Sequence, residues 1–210
     1  YGVNLLYNQN FFNDHDFTPE LSYGYMFGGK IGFNFNEEHS ITIDIGSSFF
    51  NQGFEYSILN SDSTRNTYSR SIGFNSLNFL MMYRKMKNSS YVEIGPQYSM
   101  VTKARGTDSF SGNTDISPYI AKSYYSVVLG FGGFVMGTEN FGITLGLRLA
   151  YTLDDIISKE GQANNFPSIT KYSSYQPSNP ISALMVMELN YDLGYLASAK
   201  CGKKTKFLMF

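Results

Sequence analysis

The sequence has no tryptophan, one cysteine in 210 residues and few charges: only 16% of its residues are Asp, Glu, Lys or Arg, against about a quarter in ordinary soluble domains. A lone thiol, Cys201, excludes an internal disulfide framework. The charges balance, 16 basic against 17 acidic for a net charge of −1, so nothing electrostatic favours nucleic acid as a partner. No stretch approaches the ~18 consecutive apolar residues of a membrane-spanning helix. Only two histidines, His15 and His39, could act as catalytic bases. No export signal is visible in the opening residues, and the chain reads as a mature product from which one has been removed.

What is present in quantity is aromatic residues and glycine: 17 Tyr, 18 Phe and 20 Gly. Mean hydropathy is −0.21, which does not argue against a membrane barrel, because lipid-facing and lumen-facing residues alternate and cancel. Alternation of period two is the dominant pattern and recurs eight times. In 181–196, Ile181, Ala183, Met185, Met187, Leu189, Tyr191, Leu193 and Tyr195 form one face, opposed by Ser182, Glu188, Asn190, Asp192 and Gly194, with Leu184 and Val186 as apolar exceptions. In 141–154 the apolar face runs from Phe141 to Leu153, opposed by Gly142, Thr144, Gly146, Arg148, Ala150, Thr152 and Asp154. A helix would scatter these sets around its circumference. The other six segments are 1–8, 21–36, 40–56, 74–86, 91–102 and 124–137. Leu80, Met82, Val128 and Phe134 break their polar faces.

Short connections (Asn36–His39, Asn88–Ser90, Thr138–Asn140) alternate with long polar ones at about 11–20, 57–73, 103–123 and 157–180. That asymmetry predicts an all-β, eight-stranded antiparallel transmembrane barrel over 1–196, with short periplasmic turns, long extracellular loops and both termini periplasmic. A soluble barrel, such as a lipocalin-like binder, would turn its bulky residues inward. Here glycine dominates the polar face and aromatics the apolar one, so small residues fill a narrow interior and the bulky face meets lipid.

The quoted patterns also resemble a family. Gly2-Val3-Asn4, Asn51-Gln52-Gly53, Glu93-Ile94-Gly95-Pro96-Gln97-Tyr98, the Gly130–Gly133 cluster and Tyr151-Thr152-Leu153-Asp154-Asp155-Ile156 are similar to the PorT-like outer-membrane β-barrels of Bacteroidetes-type bacteria. The resemblance implies an OmpA-type barrel in the outer membrane. Its namesake's link to type 9 secretion suggests an accessory role with outer-membrane or periplasmic protein partners. This chain departs from the pattern after Tyr195, where a tail, 197–210, continues beyond the last strand.

Eight charged residues fall on the polar face: Lys30, Asp44, Arg84, Glu93, Arg148, Asp154, Glu188 and Asp192. They read as a salt-bridge network plugging the lumen, because unpaired charges in a narrow interior are costly; the alternative is an ion path or small-solute pore. Asp14-His15-Asp16 in the first long loop raises two further readings, a metal site and a lipid A-modifying enzyme. No base–nucleophile pair sits at a strand end, however, and adjacent loop residues define no coordination geometry. Gly28-Gly29-Lys30 and Gly130–Gly133 lie inside strands rather than before a helix, so they are not phosphate loops. The expectation is no catalytic residue, no metal and no cofactor. Candidate partner contacts are Phe166, Tyr172 and Tyr175 on the loop 157–180, and Phe207, Leu208, Met209 and Phe210 at the end of a lysine-rich tail.

Overall fold

The computed structural model describes residues 2–7, 17–19, 23–59, 65–109, 112–138, 141–164, 166, 177–192, 197–198, 204–205 and 207–209. Eight strands form the wall: β1 (Gly2–Tyr7), β3 (Tyr23–Asn34), β4 (His39–Leu59), β5 (Arg65–Lys87), β6 (Ser90–Asp108), β8 (Ser123–Gly137), β9 (Phe141–Thr152) and β10 (Ile181–Asp192). Each is antiparallel to the next, and β1 also pairs with β10, so the curled sheet returns on itself. The smaller strands are β2 (Phe17–Pro19) on β4, β7 (Gly112–Asp115) folding back on β6, and β11 (Ala197–Ser198) paired with β12 (Lys204–Thr205). A last strand, β13 (Phe207–Met209), lies between β3 and β10. No described helix is long and apolar enough to cross a membrane.

The short turns follow from their residues. Asn36 Oδ1 accepts hydrogen bonds from the backbone N–H groups of Glu38 (2.9 Å) and His39 (2.8 Å), an Asx turn that reverses the chain. Asn88 takes φ 56°, the left-handed conformation that a two-residue hairpin requires and asparagine tolerates.

Three long segments differ from expectation. The stretches 57–73 and 103–123 were expected as loops; strand pairing instead continues through Leu59↔Arg65 in the first and to Asp108 in the second. Their strand-forming residues Tyr68, Ile72 and Ala104 face a packed apolar interior. Within 157–180 a short helix, α1 (Lys159–Ala163), begins at Ser158, whose Oγ accepts from the Gly161 N–H at 3.1 Å. The tail, read as a separate extension, contributes β13 to the wall itself.

Candidate functional site in the barrel interior

The interior is stacked in three zones. Nearest the short turns lies a cluster of six charges, one from each of six strands: Lys30, Asp44, Arg84, Glu93, Arg148 and Glu188. Arg84 donates to Glu93 through Nε (3.0 Å) and Nη2 (2.8 Å), and to Glu188 through Nη1 (3.0 Å) and Nη2 (2.8 Å). Arg148 donates to Glu93 from Nε at 2.6 Å, reaches Asp44 Oδ2 from Nη1 at 2.9 Å, and lies 3.5 Å from Glu188. Lys30 pairs with Glu188 and approaches Asp44 at 3.5 Å. Thr144 donates to Glu188 at 3.0 Å, and the Arg84 guanidinium sits 3.9 Å over the Tyr91 ring. Three cations meet three anions, so the cluster is neutral as well as paired. Asp44 Oδ1 alone among these carboxylate oxygens is buried without a hydrogen-bond partner.

Backbone register explains how these side chains meet. Glu93, Gly130 and Arg148 share one row across β6, β8 and β9. A Cβ at position 130 would stand 2.7 Å from Glu93 Cγ, so glycine leaves the corridor through which Arg148 reaches Glu93. One row on, a Cβ at Gly132 would meet the Tyr91 ring at 2.6 Å. Gly130→Val is expected to destabilise the chain by about 1–3 kcal/mol through overpacking, read by urea unfolding in detergent. At Gly29, where an added Cβ meets nothing within 4 Å, Ala is expected to change stability by under ~1 kcal/mol.

Above the charges is a polar layer. Asn78, fully buried, donates to Ser48 Oγ (2.8 Å) and accepts from Ser99 Oγ (2.7 Å) and Gln97 Nε2 (3.2 Å). Leu80, Met82 and Val128, three of the residues that break the polar faces, pack together in the interior, whereas Phe134 is exposed. The third zone, at the long-loop end, is an apolar core of Phe50, Phe54, Ile72, Phe74, Ile116, Tyr124 and Ile156 with their neighbours. Sequence reasoning missed it. In this zone Tyr56 donates to both oxygens of Asp108 at 3.1 and 3.0 Å. Desolvation first, and that hydrogen bond second, push its hydroxyl up to about 12.

Two of the expected site residues are placed elsewhere. Asp154 does not join the lumen cluster: β9 ends at Thr152, the chain leaves the pleat, and exposed Asp154 accepts from the Tyr125 N–H at 2.7 Å. Its neighbour Asp155, not singled out by sequence, organises the loop by accepting from Ile157 and Ser178 N–H and from Gln162 Nε2. Phe166, expected as a partner contact, is 7% exposed; it stacks on Tyr119 at 5.3 Å and lies under Arg70. It closes the mouth rather than offering a surface. The side chains of Asp192, Phe207, Leu208 and Met209, and all of Tyr172, Tyr175, Phe210 and His15, lie outside the described residues. His39 sits at an inner turn, stacked on Tyr83 with Nδ1 2.5 Å from its hydroxyl. No group of three metal-ligating side chains occurs among the described residues.

The outer face is the complement of this interior. Exposed large apolar side chains cover it, among them Tyr25, Phe27, Ile43, Ile45, Met81, Ile94, Leu129, Phe131, Leu149, Met185 and Leu189. On three neighbouring strands this apolar row stops within one register pair of the same level. Asn51 follows Phe49 on β4, Asn75 precedes Leu77 on β5, and Lys103 follows Met100 on β6. Register places Phe49 opposite Asn75, Asn75 opposite Lys103, and Leu77 opposite Met100. Aromatic side chains gather near this border, with Tyr25 on Phe49 at 5.6 Å and Tyr98 on Tyr125 at 5.0 Å.

No family model, curated protein or solved structure matches this chain. The PorT-like resemblance therefore rests on the sequence motifs quoted for it.

Proposed function

We propose that this chain is a non-enzymatic β-barrel of a bacterial outer membrane, its lumen plugged, serving as an accessory or structural subunit of a larger outer-membrane assembly. Short turns lie on the periplasmic side, and β4, β5 and β6 project outward beyond the bilayer. The observation that carries the reading is that the outer face changes from apolar to polar within one register pair of the same level on three adjacent strands. A soluble protein has no reason to expose such a band, since contiguous apolar patches of more than a few hundred Å² are rare on monomers.

Dimensions agree. The 12 residues of β3, tilted about 40°, rise roughly 30 Å, close to the ~25 Å apolar belt of such barrels. By contrast, β4, β5 and β6 run to 21, 23 and 19 residues, well past the ~9–11 a crossing needs. The charged cluster and the apolar core support a closed lumen rather than a pore.

The chain is expected to refold into phospholipid vesicles, to run faster on gels unheated than boiled, and to give near-zero conductance in planar bilayers. Steady open currents would replace the plug with a pore, and failure to enter vesicles would remove the membrane. Native-membrane purification in mild detergent is expected to bring neighbouring proteins with it; a chain that always runs alone would defeat the subunit role.

A further inference from the structure

An irregularity in the wall sits at the apolar border. Ser76 of β5 stands opposite Val101 and Asn75 opposite Lys103, so Thr102 is an extra residue on β6. Such a bulge re-aims every side chain beyond it. Below it the odd positions of β6 point inward, with Tyr91, Glu93 and Ser99 buried; above it the even ones do, with Ala104 and Asp108 buried. In an unbroken strand Lys103 and Arg105 would continue the inward set. The bulge instead sets both on the outer face, exposed, in the rows just past the last apolar pair, Leu77 and Met100. Exposed Asn75 stands opposite Lys103, and Gly73, with no side chain to cover the guanidinium, opposite Arg105. On the other side Asp115 of β7 pairs with Arg105. Its carboxylate already accepts from the Ser117 N–H at 2.9 Å; that hydrogen bond, and more weakly the two cations, hold it below the usual carboxylate range. Among the described residues neither Lys103 nor Arg105 forms an ion pair. Two cations against one anion leave this shelf positive.

We propose that this shelf binds the phosphate of a lipid headgroup in the outer leaflet, an inference that rests on the membrane reading above. Solvation alone would let two cations sit anywhere on the exposed extension; both instead share one face, in the rows directly above the border. The rows beneath are apolar and aromatic, with Leu77 opposite Met100, and Tyr98 opposite both Phe79 and Tyr125. An acyl chain lying on them brings its headgroup to the height of Lys103. One row is ~7 Å along a strand, within reach of a lysine or arginine whose stem lies on apolar surface while its charge turns to the headgroups. A phosphate monoester carries about −1.5 to −2 charge and three acceptor oxygens. That suits the Arg105 fork, the Lys103 ammonium and the Asn75 amide together, and a planar guanidinium takes two phosphate oxygens at once.

The test uses the full chain refolded in mild detergent, each variant first checked for the gel shift between unheated and boiled samples, with lipid binding read by native mass spectrometry. The probes are a diglucosamine lipid carrying two phosphates (lipid A), the same lipid with both phosphates removed, and inorganic phosphate. The phosphorylated lipid is expected to bind at least about tenfold tighter than the dephosphorylated one, through charge-assisted hydrogen bonds. Lys103→Gln with Arg105→Gln is expected to erase that preference, whereas Lys103→Arg with Arg105→Lys keeps it to within about threefold. The matched control is Lys85→Gln with Lys87→Gln, exposed cations at the other end of β5. It is expected to change affinity by less than about twofold, being more than a screening length away. Equal losses from the two Gln pairs would reduce the effect to net charge and overturn the site. So would a preference that survives in Lys103→Gln with Arg105→Gln, no preference in the parent chain, or displacement of the lipid by inorganic phosphate at equal concentration. Insertion into phosphatidylcholine vesicles is measured separately, so failure here leaves the membrane reading standing.

Discussion

Replacing Arg148 by Met is expected to cost about 3–5 kcal/mol of unfolding free energy, the range for breaking one partner of a buried ion pair. The residue is 5% exposed and its side chain bonds Glu93 at 2.6 Å and Asp44 at 2.9 Å. Its removal leaves the six-charge cluster at net −1 and strips a donor from two carboxylates that cannot rehydrate in place. Asp44, with Oδ1 already unpartnered, then depends on Lys30. Arg148→Lys should fall between, because an ammonium keeps the charge but not the planar fork that reaches Glu93 and Asp44 together.

The second substitution decides the mechanism. With Glu93→Gln added to Arg148→Met the cluster is neutral again, and Arg84 keeps an amide oxygen to bond. The double variant is expected to recover a coupling energy of about 1.5–3 kcal/mol in a double-mutant cycle. Urea unfolding of refolded protein at two ionic strengths measures it. Because the pairs are buried, the loss should be nearly the same at ~0.05 and ~0.5 M salt. A single-variant cost under ~1 kcal/mol, or one that fades in salt, would mean a wet interior and no plug.

How much of this was legible in the sequence depends on parity. Lys30, Asp44, Arg84, Glu93, Arg148 and Glu188 could be placed in one interior because each shares the face of glycine and small polar residues within a strand of period two. Asp154 failed because parity expires where the strand ends. The outer apolar core failed for a different reason. In β4 the apolar phase is odd through Ile41, Ile43, Ile45 and Phe49, then slips by one at the Phe49-Phe50 doublet to Phe50, Phe54 and Tyr56. In β5 it slips the other way, from Tyr68, Ile72 and Phe74 to Leu77, Phe79, Met81 and Tyr83. That inversion was written in the chain. It marks the level where the bulky residues change sides: below it they face outward, above it they turn inward as in a soluble barrel. What no local pattern carries is the partner of the tail, since the register of β13 on β3 joins residues more than 170 positions apart.

The same inversion makes depth a measurable quantity. Met81 and Asn75 lie on the outer face of one strand, three side chains apart on that face, with Met81 54% exposed in the middle of the apolar row and Asn75 just past its end. If the outer face meets water, Arg at either site is an ordinary surface change within about 0.5 kcal/mol of neutral. If it meets acyl chains, Met81→Arg costs about 2–4 kcal/mol near mid-bilayer, while Asn75→Arg costs at most ~1 kcal/mol at the interface. The expected result is the second. Denaturant unfolding from phospholipid vesicles reads both on one scale, and the gap should close in a short-chain detergent that lets the guanidinium reach water. Because the two variants share strand, face and introduced residue, neither β-propensity nor a general intolerance of arginine produces the difference, and its closing in short-chain detergent assigns it to a medium that changes between positions 75 and 81. Equal, small costs at both sites would return the outer face to water and take the membrane reading with it.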